Sequence, residues 1–273
     1  MKLSYHVATP EVKILPSVTS YQGDLETSFK RLHEVGYEGA ELMVCDPCKI
    51  DKAQLKALAR KYSLEIPMVC TGEVFGQGAV SFSSTDPEIN KEAVKRAFDA
   101  VDVAAEFGTQ INIGRLRGGL VWGADPEGCK QRIFDAFCKV ADYAKPKGVR
   151  VALEPVNELL LNYINSTQDG MAMVDKVARD NFKIMIDTNH MWISDIDPIK
   201  SVYEAKGYFT HVHLVDTNRL WPGNLKFDFP SFIKALNDIG YDEWCSVEVF
   251  SRPDQDTALE CSYKYLAPLM GKA

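Results

Sequence analysis

Eight short apolar runs, near residues 2–8, 39–44, 65–70, 109–114, 149–154, 183–187, 209–215 and 245–250, alternate along the chain with segments of helical periodicity. Strand-like runs joined by amphipathic helices pair in parallel, because each helical crossover returns the chain to the same end of the sheet. Eight such units is the number at which a parallel sheet closes into a barrel. The helical segments carry apolar stripes that would pack on that sheet: Leu25, Phe29 and Leu32; Leu55, Leu58 and Tyr62; Ile133, Phe137, Val140 and Ala144; Leu259, Tyr263 and Leu266.

The punctuation agrees. Several runs are preceded by a glycine that suits a left-handed helix terminus, in V-G-Y-E-G, F-G-T-Q, K-G-V-R, K-G-Y-F and I-G-Y-D. Asp86-Pro87, Asp125-Pro126 and Asp197-Pro198 each offer a capping carboxylate followed by a proline at the first helical turn. An open doubly wound sheet also alternates strand and helix, but neither G-x-G-x-x-G nor a phosphate-binding Gly-Lys-Ser/Thr follows a run. The glycine-rich stretch I-G-R-L-R-G-G-L-V-W-G reads as a tight rim loop, from which Arg115 and Arg117 could meet an anionic substrate. No linker or composition break divides the 273 residues, so the expectation is one α/β domain over 1–273, a single (β/α)8 TIM barrel.

Charge and composition narrow the partners. A net charge of −7 opposes a nucleic-acid footprint, which needs clustered Lys and Arg to neutralise phosphates. No run approaches the length of a membrane span and the N-terminus lacks a signal-like apolar core, so no membrane partner and a cytoplasmic location are expected. Seven cysteines without a framework spacing read as reduced thiols, and Cys45 and Cys48, in C-D-P-C, as incidental loop residues because no second C-x-x-C accompanies them. A small molecule is the expected partner. The oligomeric state stays open, with a homodimer or homotetramer compatible.

Glu154, Asp187, His213 and Glu248 stand at the ends of four of these runs, V-R-V-A-L-E, F-K-I-M-I-D, T-H-V-H and C-S-V-E, separated by 33, 26 and 35 residues. Each interval is about one strand, loop and helix, so a parallel barrel brings all four to one rim. A lone strand-end acid is ordinarily a rim residue paired with Lys or Arg. Four in successive units read instead as ligands of one divalent metal ion. Three carboxylates and one imidazole form a hard set that suits Mn²⁺ or Mg²⁺, with Co²⁺ and Zn²⁺ as further candidates.

Together V-A-L-E-P-V-N, I-M-I-D-T-N-H-M, H-V-H-L-V-D-T-N-R-L-W-P-G and S-V-E-V resemble the xylose-isomerase-like sugar (phosphate) isomerase/epimerase barrels, in particular their ketose 3-epimerase branch. The resemblance spans nearly the whole chain. It implies a (β/α)8 barrel in which Glu154, Asp187, His213 and Glu248 hold one metal ion, Glu154 and Glu248 move the proton, and His190 and Arg219 contact substrate oxygens. Two departures stand out. The family's second glutamate, six residues after the first, is Leu160 here, with Glu158 in place of an arginine, and P-G-x-G-H-x-D-F becomes P-G-N-L-K-F-D-F, with Leu225 and Lys226. Lys226 could hold a carboxylate or phosphate, although an exposed rim lysine is the commoner case.

Removal of a proton beside a carbonyl by one carboxylate, and its return to the other face by the second, inverts that carbon. Delivery to the neighbouring carbon instead yields an aldose, and expulsion of a β-hydroxyl makes the enzyme an inosose-type dehydratase. A sugar-binding barrel that has lost turnover is the alternative outside catalysis; an apurinic-site nuclease would need more histidines than five. His211, two residues before His213, points the same way along the strand; it is a candidate substrate contact or hydrogen-bonded support for a ligand, and equally a satisfied polar residue of the core. Trp122, Trp192, Trp221, Phe75 and Phe250 are candidate rim walls around a sugar, and His6 a further pocket residue.

Overall fold

The computed structural model describes residues 1–121, 123 and 125–272. Eight parallel strands, β1 (Lys2–Ala8), β2 (Gly39–Met43), β3 (Met68–Cys70), β4 (Gln110–Ile113), β5 (Arg150–Leu153), β6 (Phe182–Asp187), β7 (Phe209–Leu214) and β8 (Trp244–Val247), follow one another around a closed barrel in which β8 pairs with β1. The helices α1 (Leu25–Val35), α2 (Lys52–Lys61), α3 (Gly72–Gly76), α4 (Pro87–Ala105), α5 (Pro126–Ala144), α6 (Thr167–Val177), α7 (Thr188–Ser194), α8 (Pro198–Glu204), α9 (Phe229–Asp238) and α10 (Gln255–Leu269) lie between successive strands and after the last. The expected barrel is the fold observed.

Strand alternation sorts the side chains into two sets. Leu3, Tyr5 and Val7 of β1, Ile111 and Ile113 of β4, and Val151 and Leu153 of β5 join the buried stripes of the helices, Phe29 and Leu32 of α1 and Ile133 and Phe137 of α5 among them, in one large core. The opposite parity holds Met68, Ala152 and Met185, a separate small apolar cluster inside the barrel, and the polar His6, Glu41, Asn112 and His211. The interior therefore mixes a small apolar cluster with buried polar groups, including the hydrogen-bonded Gln110 and Thr210, and four strand ends carry acidic or imidazole side chains.

The third strand begins later than its apolar run because Pro67 has no amide proton to give the ladder. Glu65 makes only an isolated bridge to Gly39 before the strand resumes at Met68. The cap signals behave as their chemistry dictates: Asp86, Asp125 and Asp197 each accept from amides of the first turn that follows, and Gly36, at φ 109°, ends α1 where a side chain would be strained. Cys45 precedes a 3-10 turn, Pro47–Lys49, that contains Cys48, and all seven cysteines are free. No helix is long and apolar enough to cross a membrane among the described residues.

Asp86→Ala removes the side-chain acceptor for Glu88 at the start of the 19-residue α4 without touching the barrel interior. It should lower the unfolding free energy by about 1 kcal/mol in urea denaturation, with the denaturant slope unchanged.

Candidate metal centre

Glu154 directly follows β5, its amide still bonded to Ile113 of β4, and Asp187 is the last residue of β6. His213 lies near the end of β7 and Glu248 directly follows β8. The fold brings one donor atom from each within 4.8 Å of all the others, and all four residues are buried. His213 Nδ1 is 3.3 Å from Glu248 Oε2, 3.7 Å from Glu154 Oε1 and 3.8 Å from Asp187 Oδ2.

Each carboxylate is held at its back. Asp187 Oδ1 accepts from the amides of Asn189 and His190 at the start of α7, which leaves the buried Oδ2 without a partner. Glu248 Oε1 accepts from the Thr19 hydroxyl at 2.7 Å, and Oε2 from the Arg219 guanidinium. Glu154 Oε2 accepts from the Asn112 amide at 3.2 Å. It also leans over Gly114, where an added Cβ would come within 2.2 Å of Oε2, so only glycine admits the carboxylate there.

Beneath His213 lies Glu41, a carboxylate in the middle of β2 with no solvent exposure. Its Oε1 meets Nε2 of His213 and of His6, each at 3.0 Å, and its Oε2 meets Nε2 of His211 at 2.7 Å. An ionised carboxylate only accepts, so Nε2 of His213 and of His211 is assigned as the N–H, while His6 Nε2 lies 3.2 Å from His213 Nε2, too close for a second proton between the two rings. In the neutral ring that assignment leaves Nδ1 of His213 as a bare lone pair, buried, unpartnered and aimed at three carboxylates. With Nδ1 deprotonated, the four inward atoms are all acceptors, a donor set that suits a cation, and the Arg219 guanidinium already approaches Glu248 and Asp187 from one side. The arrangement also matches the usual support of a metal-binding histidine, whose far N–H is fixed by a carboxylate.

Electrostatics follow the same pattern. Burial and the proximity of Glu248 and Asp187 push Glu154 up to about 8, against the pull of His213. Burial would raise Glu248 too, but Arg219 and His213 hold it well below the usual carboxylate range. Burial lowers His213, yet Glu41 and Glu248 together carry it well above the ordinary imidazole value, so without an ion its Nδ1 keeps a proton toward Glu248 that a bound cation would displace.

A cavity of about 480 Å³ opens above this centre, lined on one side by Glu154, Glu248, His190, Asn189 and Arg219. His190 is buried, its Nδ1 held by the Asn157 amide at 2.8 Å and its Nε2 3.6 Å from Glu154, and burial pushes its pKa down to about 4, so it is neutral. Arg219 adopts φ 59° and its guanidinium reaches Glu248 and, at 3.6 Å, Asp187 Oδ2. The loop carrying it is ordered by Asp216, which accepts from the amides of Gly223, Leu225, Lys226 and Phe227. A second hollow, about 590 Å³, lies at the other end of the barrel, where the charges pair off as Lys2 with Glu65 and Arg150 with Glu243.

Three expected substrate contacts lie elsewhere. Arg117 is wholly buried and donates to the backbone carbonyls of Gly114, Glu154, Tyr163 and Ile164, so it braces two rim loops and cannot meet a ligand. His211 is sealed in the barrel against Glu41, a layer below the cavity. Lys226 is exposed and does not line the cavity, because its amide, not its ammonium, turns inward to Asp216. Arg115 does line the cavity, with its charge already met by Glu73 at 2.8 Å. Phe250 lines the cavity; Trp192 is half exposed and Trp221 packs on the core, and Trp122 lies outside the described residues. Glu41, Thr19 and Asn112 are the functional neighbours that the motif reading missed. An acid inside the apolar run G-A-E-L-M was the available signal for Glu41.

A barrel with this strand-end set defines a sugar-isomerase type of scaffold, and the comparisons agree. The profile of the xylose isomerase-like TIM barrel family matches residues 29–269, and the chain belongs to that family. It is 31% identical over 226 residues to L-ribulose 3-epimerase of Methylomonas sp. (strain DH-1), covering 82% of this chain and 78% of that protein. It is 28% identical over 226 residues to ketose 3-epimerase of Arthrobacter globiformis, covering 82% and 77%. Among solved structures, D-allulose 3-epimerase from Methylomonas sp. in complex with D-allulose superposes with a TM-score of 0.82 at 26% identity, over 98% of this chain and 96% of that one. The relatives are thus ketose 3-epimerases, enzymes of the isomerase class, as the motifs led one to expect.

Two outcomes follow from the supporting residues. Glu41→Gln replaces one acceptor oxygen by an N–H₂ facing imidazole N–H groups, and should weaken divalent-metal binding, measured by calorimetry, about 10- to 100-fold while the chain stays folded by circular dichroism. Arg117→Ala strands several buried carbonyls, and should cost about 3 kcal/mol or more of stability in thermal or urea unfolding.

Proposed function

We propose that the protein is a divalent-metal-dependent ketose 3-epimerase, acting on a ketose or close derivative. The observation that carries this reading is the pair of buried carboxylates, Glu154 and Glu248, converging on one cavity with Asp187 and His213. Glu154, Asp187, His213 and Glu248 would hold the ion, with Mn²⁺ or Mg²⁺ favoured by three oxygen donors against one nitrogen. When bound, it supplies the Lewis acidity that makes a proton on the carbon beside a carbonyl easier to remove.

The chain's own groups do the rest. Glu154 and Glu248 come from different strands, and a carbon between them has one carboxylate on each face, so that one removes the proton and the other returns it with inversion. Their surroundings are unequal: Thr19 and Arg219 support Glu248, and Asn112 alone supports Glu154. His190, locked by Asn157, presents Nε2 toward the cavity, where it can bond a substrate hydroxyl, and Arg219 can bond an oxygen beside the reacting carbon. The free cysteines and absence of a membrane-spanning helix among the described residues are compatible with the cytoplasmic setting inferred from the sequence.

Incubation of metal-loaded protein with free ketoses in deuterated water, followed by NMR, tests the reading. It should place deuterium at C3 of both substrate and epimer, with no unsaturated product. Glu248→Gln should lower kcat by about 10²-fold or more. Accumulation of an unsaturated product would identify a dehydratase instead, and undiminished turnover in Glu248→Gln would exclude the two-carboxylate mechanism.

A further inference from the structure

The cavity's lining is mixed: beside the polar groups around the four-residue centre it includes Val156, Leu159, Leu160, Ile193 and Phe250, none of whose side chains offers a hydrogen bond. Leu159 and Leu160 are 77% and 54% exposed, unusual for leucines at the mouth of a site built to bind hydroxyls. The carboxylate next to them is no substitute, since Glu158 turns away to bond the Ser194 hydroxyl and does not line the cavity.

The apolar part of the lining is fixed relative to the polar groups by one residue. Asn157 holds His190 Nδ1 through its amide nitrogen, while its amide oxygen accepts from the Leu159 N–H at 3.1 Å and its backbone carbonyl accepts from the amides of Leu160 and Leu161. A terminus leaving the metal centre past His190 therefore meets a wall that does not swing aside. Charge is settled as well. The two arginines that line the cavity are balanced, Arg115 by Glu73 and Arg219 by Glu248 and Asp187. Among the described lining residues no cation is left over for a phosphate or carboxylate.

Building on the epimerase reading, we propose that the preferred substrate is a neutral, terminally deoxygenated ketose, whose methyl end packs against Leu159 and Leu160. Leu160 is the residue that sets this preference. A site made to bond a hydroxyl rejects the analogue lacking it by about 10⁴-fold, whereas an apolar wall favours the matching methyl by about 10- to 200-fold.

The test is a panel of one ketohexose with its 1-deoxy, 6-deoxy, 1-phosphate and 6-phosphate forms, presented to the metal-loaded wild type, Leu160→Glu and Leu160→Gln. kcat/KM is read from epimer formation, and Kd by calorimetry on the Glu248→Gln background. The proposal expects one deoxyketose to exceed the parent hexose by about 10-fold or more, both phosphate esters to fall below the parent, and the deoxy advantage to vanish in both Leu160 variants. Highest kcat/KM on the parent or on a phosphate ester, with the same ranking in the Leu160 variants, overturns it while leaving the epimerase reading in place. The deoxy preference in Kd without any epimer formed supports the specificity and overturns the epimerase reading. A protein that neither binds nor converts any of the five contradicts both.

Discussion

Three carboxylates and a bare imidazole nitrogen cannot share a dry space less than 5 Å across unless positive charge sits among them, and most of the upper barrel is arranged around that constraint. Asp187 is tied down by the amides at the head of α7, Glu248 by Thr19 and Arg219, Glu154 by Asn112 and the missing side chain at Gly114. Apart from Arg219, which bonds the same Glu248 Oε2 that faces His213, none of these contacts occupies the atoms that face one another. The other supports fix the donors in place and leave their inward lone pairs free, which is the preorganisation that a metal site requires.

Glu41 extends the same logic one layer down. A carboxylate buried without solvent contact is tolerable because the imidazoles of His6, His211 and His213 surround it, the last two as N–H donors, and burial, which alone would raise its pKa, is outweighed so that it stays well below the usual range. Its service to the site is to choose the tautomer of His213. With Nε2 committed to Glu41, Nδ1 is the nitrogen left to face the carboxylates and to give its lone pair to an ion held among them. His6 and His211 complete the shell of that buried charge and so stand beneath the site, not in it.

The barrel was legible because its determinants are local: runs of period two, stripes of period three or four, Asp-Pro caps and glycine helix ends such as Gly36 and Gly240. The four principal site residues were legible for a related reason, since each terminates a strand-like run and strand ends share a rim. What failed was the reading of residues whose role depends on tertiary surroundings. Arg117 and Arg115 sit two apart in one loop, yet one is swallowed by carbonyls and the other lines the cavity. Lys226 was a plausible anion contact until Asp216 claimed its backbone. Glu41 was legible only as an anomaly, an acid in an apolar strand whose partners His211 and His213 come from a strand far off in sequence, and Thr19 acts across more than two hundred residues.

The central claim is that this space belongs to one metal ion, and anomalous diffraction from crystals of the protein loaded with Mn²⁺ addresses it most directly. The account predicts a single strong anomalous peak per chain in contact with Glu154, Asp187, Glu248 and Nδ1 of His213, with Nε2 of that histidine still on Glu41. A peak bonded to Nε2 beside Glu41, His6 and His211, or no ordered peak between the three carboxylates at saturating Mn²⁺, would contradict it.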